Sequence, residues 1–148
     1  MKILIINGPN LNLLGTREPD VYGSKTLQDH MQAATEHAAS LNATISHIQS
    51  NSEGELVTAI QEARRSADGI VINPAAYTHT SVALRDALLA CGLPAVEIHL
   101  SNTATREEFR SHSLTAPATI AQVIGFGGRG YCLALDGLIH HIRSQSDQ

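Results

Sequence analysis

The sequence predicts a doubly wound α/β domain, a five-stranded parallel sheet of flavodoxin-like order 2-1-3-4-5 with helices on both faces. Short apolar runs alternate with amphipathic helical stretches five times along the chain, the pattern of a parallel sheet built from β-α units. Right-handed crossovers leave such a chain few topologies. The run Gly69 to Asn73 is apolar enough to be buried on both faces, as central parallel strands are. Of the two common doubly wound orders, 148 residues with five strands fit 2-1-3-4-5. The crevice of that sheet lies beyond the C-terminal strand ends, where the order reverses between the first and third strands.

The first strand takes Lys2 to Asn7, where an apolar run breaks off into Asn7-Gly8-Pro9-Asn10. Residues 11–23 follow with neither helical nor strand periodicity. A loop of that length in a compact domain is functional or disordered, and its apolar residues and Tyr22 favour function. Gly15 and Gly23 let the segment between them swing as a lid. The first helix runs from Leu27 to Leu41, N-capped by Thr26, with Leu27, Met31, Ala34, Ala38 and Leu41 on one face. After a strand from Thr44 to Ser50, Ser52-Glu53-Gly54-Glu55 has the spacing of a capping box. It opens a helix that carries Leu56, Ile60, Ala63 and Ala67 inward. The third strand, Gly69 to Asn73, leads to a helix from Ser81 to Cys91 that stops at Gly92, with Pro94 beyond. A strand from Ala95 to Leu100, a short helix from Thr105 to His112, a strand from Thr119 to Ile124 and a helix from Tyr131 to Ser144 complete the alternation. Gln145 to Gln148 form a polar, frayed tail.

Composition narrows the function. The length suits one domain, residues 1–148, with a core that needs no staples. A formal charge of −4 leaves no basic excess to neutralise phosphates, which argues against nucleic acid. Apolar runs are too short to span a membrane, and Lys2 with the residues after it is too short for a signal peptide, so a cytoplasmic location is expected. Cys91 and Cys132 fall in helices without metal-type spacing and read as buried, reduced thiols. The histidines outside the loops, His140 and His141 among them, show no ligand geometry, and no metal site is expected.

The polar segments cluster after the first, third and fourth strands, where the architecture puts the crevice. Tyr22 and Arg17 share the first of them. Each alone reads as a packed ring and a solvated charge, but a guanidinium near a phenol favours the phenolate and suits it to act as a base. Asn73 ends the third strand as a turn residue before Pro74, and His79 lies near a helix start; both also offer donors and acceptors to a hydroxylated ligand. Glu97 and His99 are two apart on a strand and point the same way, so a carboxylate–imidazole contact is geometrically open, and a histidine can donate a proton at neutral pH. Arg106 and Arg110 are four apart on the expected short helix, a solvated face by default, and Asp86 beside Arg85 reads as surface charge. Gly125-Phe126-Gly127-Gly128-Arg129-Gly130 fits the dinucleotide pattern but follows the last strand, with too little chain left for a second βαβ unit; it reads as a tight turn.

Leu4-Ile5-Ile6-Asn7-Gly8-Pro9-Asn10-Leu11, Leu14-Gly15, Arg17-Glu18-Pro19 and Tyr22-Gly23 together resemble the N-terminal signature of type II 3-dehydroquinate dehydratase. Asn73 to Ser81, Glu97 to Asn102 and Arg106 to Arg110 resemble later segments of the same family, so the likeness covers nearly the whole chain. The resemblance implies cofactor-free anti elimination of water from 3-dehydroquinate through an enolate. Tyr22 would be the base, Arg17 its activator, His99 the general acid, and Asn10 the residue that orients a water at the enolate oxygen. It also implies substrate contacts from Asn73, His79, the Leu100 backbone, Ser101 and Arg110, leaves Arg106 structural, and has Asp86 reach the site of a neighbouring subunit in a homododecamer of trimers. Ala75 stands where many relatives have glycine. A lysine Schiff base is an alternative chemistry for this reaction, but only Lys2 and Lys25 exist, and neither is placed for it. The competing class is a non-catalytic flavodoxin-like module for a small ligand or phosphate. The absence of tryptophan and scarcity of aromatic residues disfavour flavin, and Asn7-Gly8-Pro9-Asn10 replaces the acidic cluster a receiver would need.

Overall fold

The computed structural model describes residues 1–16, 20 and 23–147. Strands β1 (Lys2–Asn7), β2 (Thr44–Gln49), β3 (Gly69–Asn73), β4 (Ala95–His99) and β5 (Ala121–Ile124) form one parallel sheet in the order β2-β1-β3-β4-β5, as the alternation predicts. Strand pleating sends successive side chains to opposite faces. Ile3 and Ile5 therefore join Val71, Val96 and Ile98 under α1 (Leu27–Ser40) and α4 (Arg129–Ser146). Ile6, Ile70 and Ile72 pack on the other face under α2 (Glu53–Ser66) and α3 (Val82–Cys91). β3 and β4 are buried along their whole length because helices cover both sides.

The caps follow side-chain chemistry. Thr26 accepts from the Asp29 amide while the Asp29 carboxylate accepts from the Thr26 amide, a reciprocal box. At α2 only half of the expected box forms. Ser52 accepts from the Glu55 amide, but the Glu55 carboxylate takes the Ser50 hydroxyl in a short hydrogen bond, and Ser50 Oγ accepts the Ser52 amide instead. Ser81 caps α3, which ends at Gly92 in the left-handed region, φ 72°.

Two expectations need correction. The helix expected from Thr105 to His112 is a pair of 3₁₀ turns, Thr103–Thr105 and Glu108–Ser111, with Arg106 extended between them. The first turn is held by side chains that compete with helix propagation: Asn102 Oδ1 accepts from the Ala104 amide and the Thr105 hydroxyl donates to the Asn102 carbonyl. The last helix begins at Arg129 and runs to Ser146, absorbing part of the expected tail. The glycine-rich segment before it is a turn, as read from the sequence. Gly125 and Gly127 have φ of 91° and 57°, and at Gly128 a Cβ would lie 2.0 Å from Nδ1 of His30, a buried ring on α1.

Register sets up the site. Asn7, the last residue of β1, is level with Asn73, the last of β3. The two connections then leave in contact: the Gly8 amide donates to the Asn73 carbonyl at 2.8 Å, and a Cβ on Gly8 would meet the Pro74 carbonyl oxygen at 2.5 Å.

Candidate active site

A crevice opens beyond the C-terminal strand ends, between the connections that follow β1, β3 and β4. Of the residues the sequence singles out, Asn10, Asn73, His79, His99, Leu100, Ser101 and Arg110 line it together. Tyr22 and Arg17 lie outside the described residues. Asp86 is exposed on α3 and is not among the described residues that line the crevice. Arg106, read as structural, lines the crevice beside Arg110.

The floor is built on a buried carboxylate. Glu97, with no exposed surface, accepts from His99 Nε2 at 2.6 Å, from the hydroxyls of Thr78 and Thr115 at 2.6 Å each, and from Ser113 Oγ at 3.2 Å. Burial raises a carboxyl pKa, but hydrogen bonds from His99, Thr115 and Thr78 outweigh it and hold Glu97 below the ordinary carboxylate range. A carboxylate only accepts, so the proton on that edge of His99 resides on Nε2. Nδ1 is then the nitrogen that can exchange a proton.

His79 is oriented in the opposite sense. Its Nδ1 donates to the His112 carbonyl at 2.6 Å, which leaves Nε2 as an acceptor in the neutral ring, and the ring stands edge-on to Phe109. Arg110 donates from Nε to Glu107 at 2.7 Å while its guanidinium lies 5.0 Å over the Phe109 ring. Arg106 Nε is 3.9 Å from the same carboxylate. Asn10 sits in the left-handed region, φ 68°, an ordinary excursion for asparagine, and its amide donates to Asn51 Oδ1 at 3.0 Å.

Asn73 Oδ1 accepts the Ala75 amide at 3.2 Å, so the residue is the turn former its position before Pro74 suggested. Its Nδ2 donates to the hydroxyl of Tyr131, a residue of α4 that the sequence marks only as the start of the last helix. Ala75 itself is at φ 51°, a conformation in which a Cβ is strained. A polar floor, two orienting imidazoles, two guanidinium groups and an amide make a cleft suited to an anionic, hydroxylated small molecule and to proton transfer by His99.

The family model described as Dehydroquinase class II matches residues 1–139. The chain is 56% identical over 144 residues to a 3-dehydroquinate dehydratase of Acaryochloris marina, covering 97% of each protein. It is 52% identical over 140 residues to Catabolic 3-dehydroquinase 1 of Fusarium vanettenii, covering 95% of this chain and 97% of that one. Among solved structures, the type II dehydroquinase of Butyrivibrio crossotus superposes with a TM-score of 0.92 at 47% identity, over 94% of this chain and 97% of that one.

Two substitutions test this geometry. Ala75→Gly relieves a left-handed penalty of about 1–2 kcal/mol against about 0.4–1 kcal/mol of added unfolded-chain entropy. The net expectation is a gain on the order of 0.5 kcal/mol, read as a higher urea midpoint; an unchanged or lower midpoint contradicts the strain. Glu97→Gln removes the anion that the surrounding donors stabilise and is expected to cost about 2–3 kcal/mol at neutral pH. Because the folded Glu97 pKa lies below its unfolded value, its contribution is present above about pH 4.5 and is lost as pH falls toward the folded pKa. Urea midpoints from pH 7 to pH 3 should show a steeper acid loss in the wild type than in the variant; parallel curves would refute the assignment.

Proposed function

The chain belongs to the class II dehydroquinase family and is a 3-dehydroquinate dehydratase, and we propose that it eliminates water with Tyr22 as base and His99 as acid. The observation that carries this reading is His99, which lines the crevice at the end of β4 with its Nε2 bonded to the buried Glu97 beneath. Tyr22, with its phenolate favoured by Arg17, takes the proton on the carbon beside the ketone. The electron pair moves to the carbonyl oxygen as an enolate, which Asn10 stabilises through an oriented water. Collapse of the enolate forms the carbon–carbon double bond and breaks the bond to the β-hydroxyl on the opposite face. His99 delivers its proton from Nδ1 to that leaving oxygen, which departs as water, and 3-dehydroshikimate remains. Glu97 fixes the imidazole by accepting its Nε2 proton, which turns Nδ1 toward the reaction.

Asn73, His79, Ser101, the Leu100 backbone and Arg110 hold the substrate, with Arg110 a natural partner for its carboxylate. Asp86, exposed on α3, completes the crevice of a neighbouring subunit, in a dodecamer of trimers. The step serves aromatic biosynthesis or quinate breakdown alike.

Near-UV absorbance after mixing purified, metal-free protein with 3-dehydroquinate reads the conjugated product directly. The expected rise survives chelator and borohydride; a rise that borohydride abolishes would instead mean an imine route. Tyr22→Phe and His99→Ala should each abolish turnover with the fold intact, and wild-type-like rates in either variant would remove its assigned role. Arg17→Ala should lose most of kcat with a smaller change in substrate affinity. Sedimentation at micromolar protein is expected to give a dodecamer, and a monomer with full activity would exclude a shared site.

A further inference from the structure

Beneath the crevice, one hydroxyl joins the two asparagines that end β1 and β3. Tyr131 rises from the first turn of α4 and is fully buried, with His30 stacked on its ring. Its hydroxyl lies 2.5 Å from Asn7 Oδ1 and 3.3 Å from Asn73 Nδ2. Burial pushes the phenol pKa up, so the proton stays on the oxygen.

The direction of each bond follows from groups that cannot reverse. Amide orientation in Asn side chains is assigned from partners, and the partner here is a backbone N–H. The Ala75 amide can only donate, so the Asn73 atom facing it is Oδ1 and the other is Nδ2. Nδ2 donates one proton to Tyr131, whose own single proton then goes to Asn7 at an O–H···O length. Asn7 Nδ2 is turned away, toward Met31 Sδ at 3.6 Å. Among the described residues Asn73 is left with one uncommitted N–H, on a side chain that lines the crevice.

We propose that Tyr131 is a positioning residue: through its hydroxyl it locks the Asn73 amide so that a single N–H faces the crevice and binds an acceptor oxygen of the substrate, a hydroxyl or carboxylate oxygen. This rests on the dehydratase reading above for its substrate, not for its geometry. Without the hydroxyl, Asn73 keeps only the Ala75 contact and its amide can swing about that anchor. The lost contact is one that ground state and transition state share, so the effect falls on KM rather than kcat.

The test is Tyr131→Phe, which keeps the buried ring and removes only the oxygen. KM for 3-dehydroquinate should rise roughly tenfold, the weight of one hydrogen bond, with kcat nearly unchanged. Added to Asn73→Ala, the same substitution should raise KM no further. A residue that merely supports the fold would lower the melting temperature and leave KM alone; that result, or additive effects on KM, would overturn the proposal. Should Tyr131→Phe fail to fold, Asn7→Ala removes the acceptor that draws the hydroxyl proton away from Asn73, and an unchanged KM there would equally overturn it. A crystal structure of the folded variant separates this inference from the functional reading. A displaced Asn73 amide is expected even if the wild type proves inactive, and an Asn73 held in place would sink the inference while leaving the dehydratase intact.

Discussion

Glu97 has no contact with water, and its carboxylate must nonetheless remain ionised to orient His99. An unpaired buried carboxylate costs several kcal/mol, so the surrounding chain has to supply donors in the right places. It draws them from three separate stretches: His99 on its own strand, Thr78 on the turn after β3, and Ser113 and Thr115 on the approach to β5. One ion therefore pins together the segments that form the crevice. The turn bearing Thr78 also carries Asn73 and Ala75 at one end and His79 at the other, and His79 is bonded in turn to the His112 carbonyl beside Ser113. Geometry that serves the His99 imidazole thus also sets where Asn73 and His79 stand in the crevice.

The other half of the crevice depends on close approach rather than on charge. β1 and β3 end level with one another, and their connections can leave the sheet in contact only because Gly8 has no side chain to strike Pro74. Asn51 then accepts both the Asn10 amide and the Gln49 side chain, while its carbonyl accepts the Tyr77 hydroxyl. Connections after β1, β2 and β3 are tied at one residue. This is the place where a doubly wound sheet reverses its order, and polar loops gather there because no helix crosses it.

What could be read from the sequence divides along physical lines. Strands, cap positions and the Glu97–His99 contact follow from periods of 2 and 3.6 and from neighbours a few residues apart, and these are legible locally. Thr78 and Thr115 lie 19 and 18 residues from Glu97, and Tyr131 lies 124 from Asn7, so no spacing rule points to them. Tyr131 carried a weak signal in retrospect, because a tyrosine on the buried face of a helix needs a partner for its hydroxyl. The segment from Thr103 to Ser111 misled for another reason. Arg106 and Arg110 have helical spacing, but Asn102 and Thr105 bond to the backbone and halt the turn, and both arginines reach the crevice from extended or 3₁₀ chain instead.

Those arginines resolve an apparent conflict between the chain and an anionic substrate. The protein carries a formal charge of −4, which by itself would repel a carboxylate. Screening confines such repulsion to about 8 Å at physiological salt, so charges at the mouth of the cleft decide what enters. There Arg106 and Arg110 both line the crevice, and among the described residues Glu107 lies close to each of them. Glu107 holds Arg110 through Nε, and Phe109 supports the guanidinium plane from below. A guanidinium braced on one edge and one face loses less freedom on meeting a carboxylate than a free side chain would. Glu107 thus lowers the positive charge beside the crevice and, in the same contact, fixes the direction in which the Arg110 guanidinium faces.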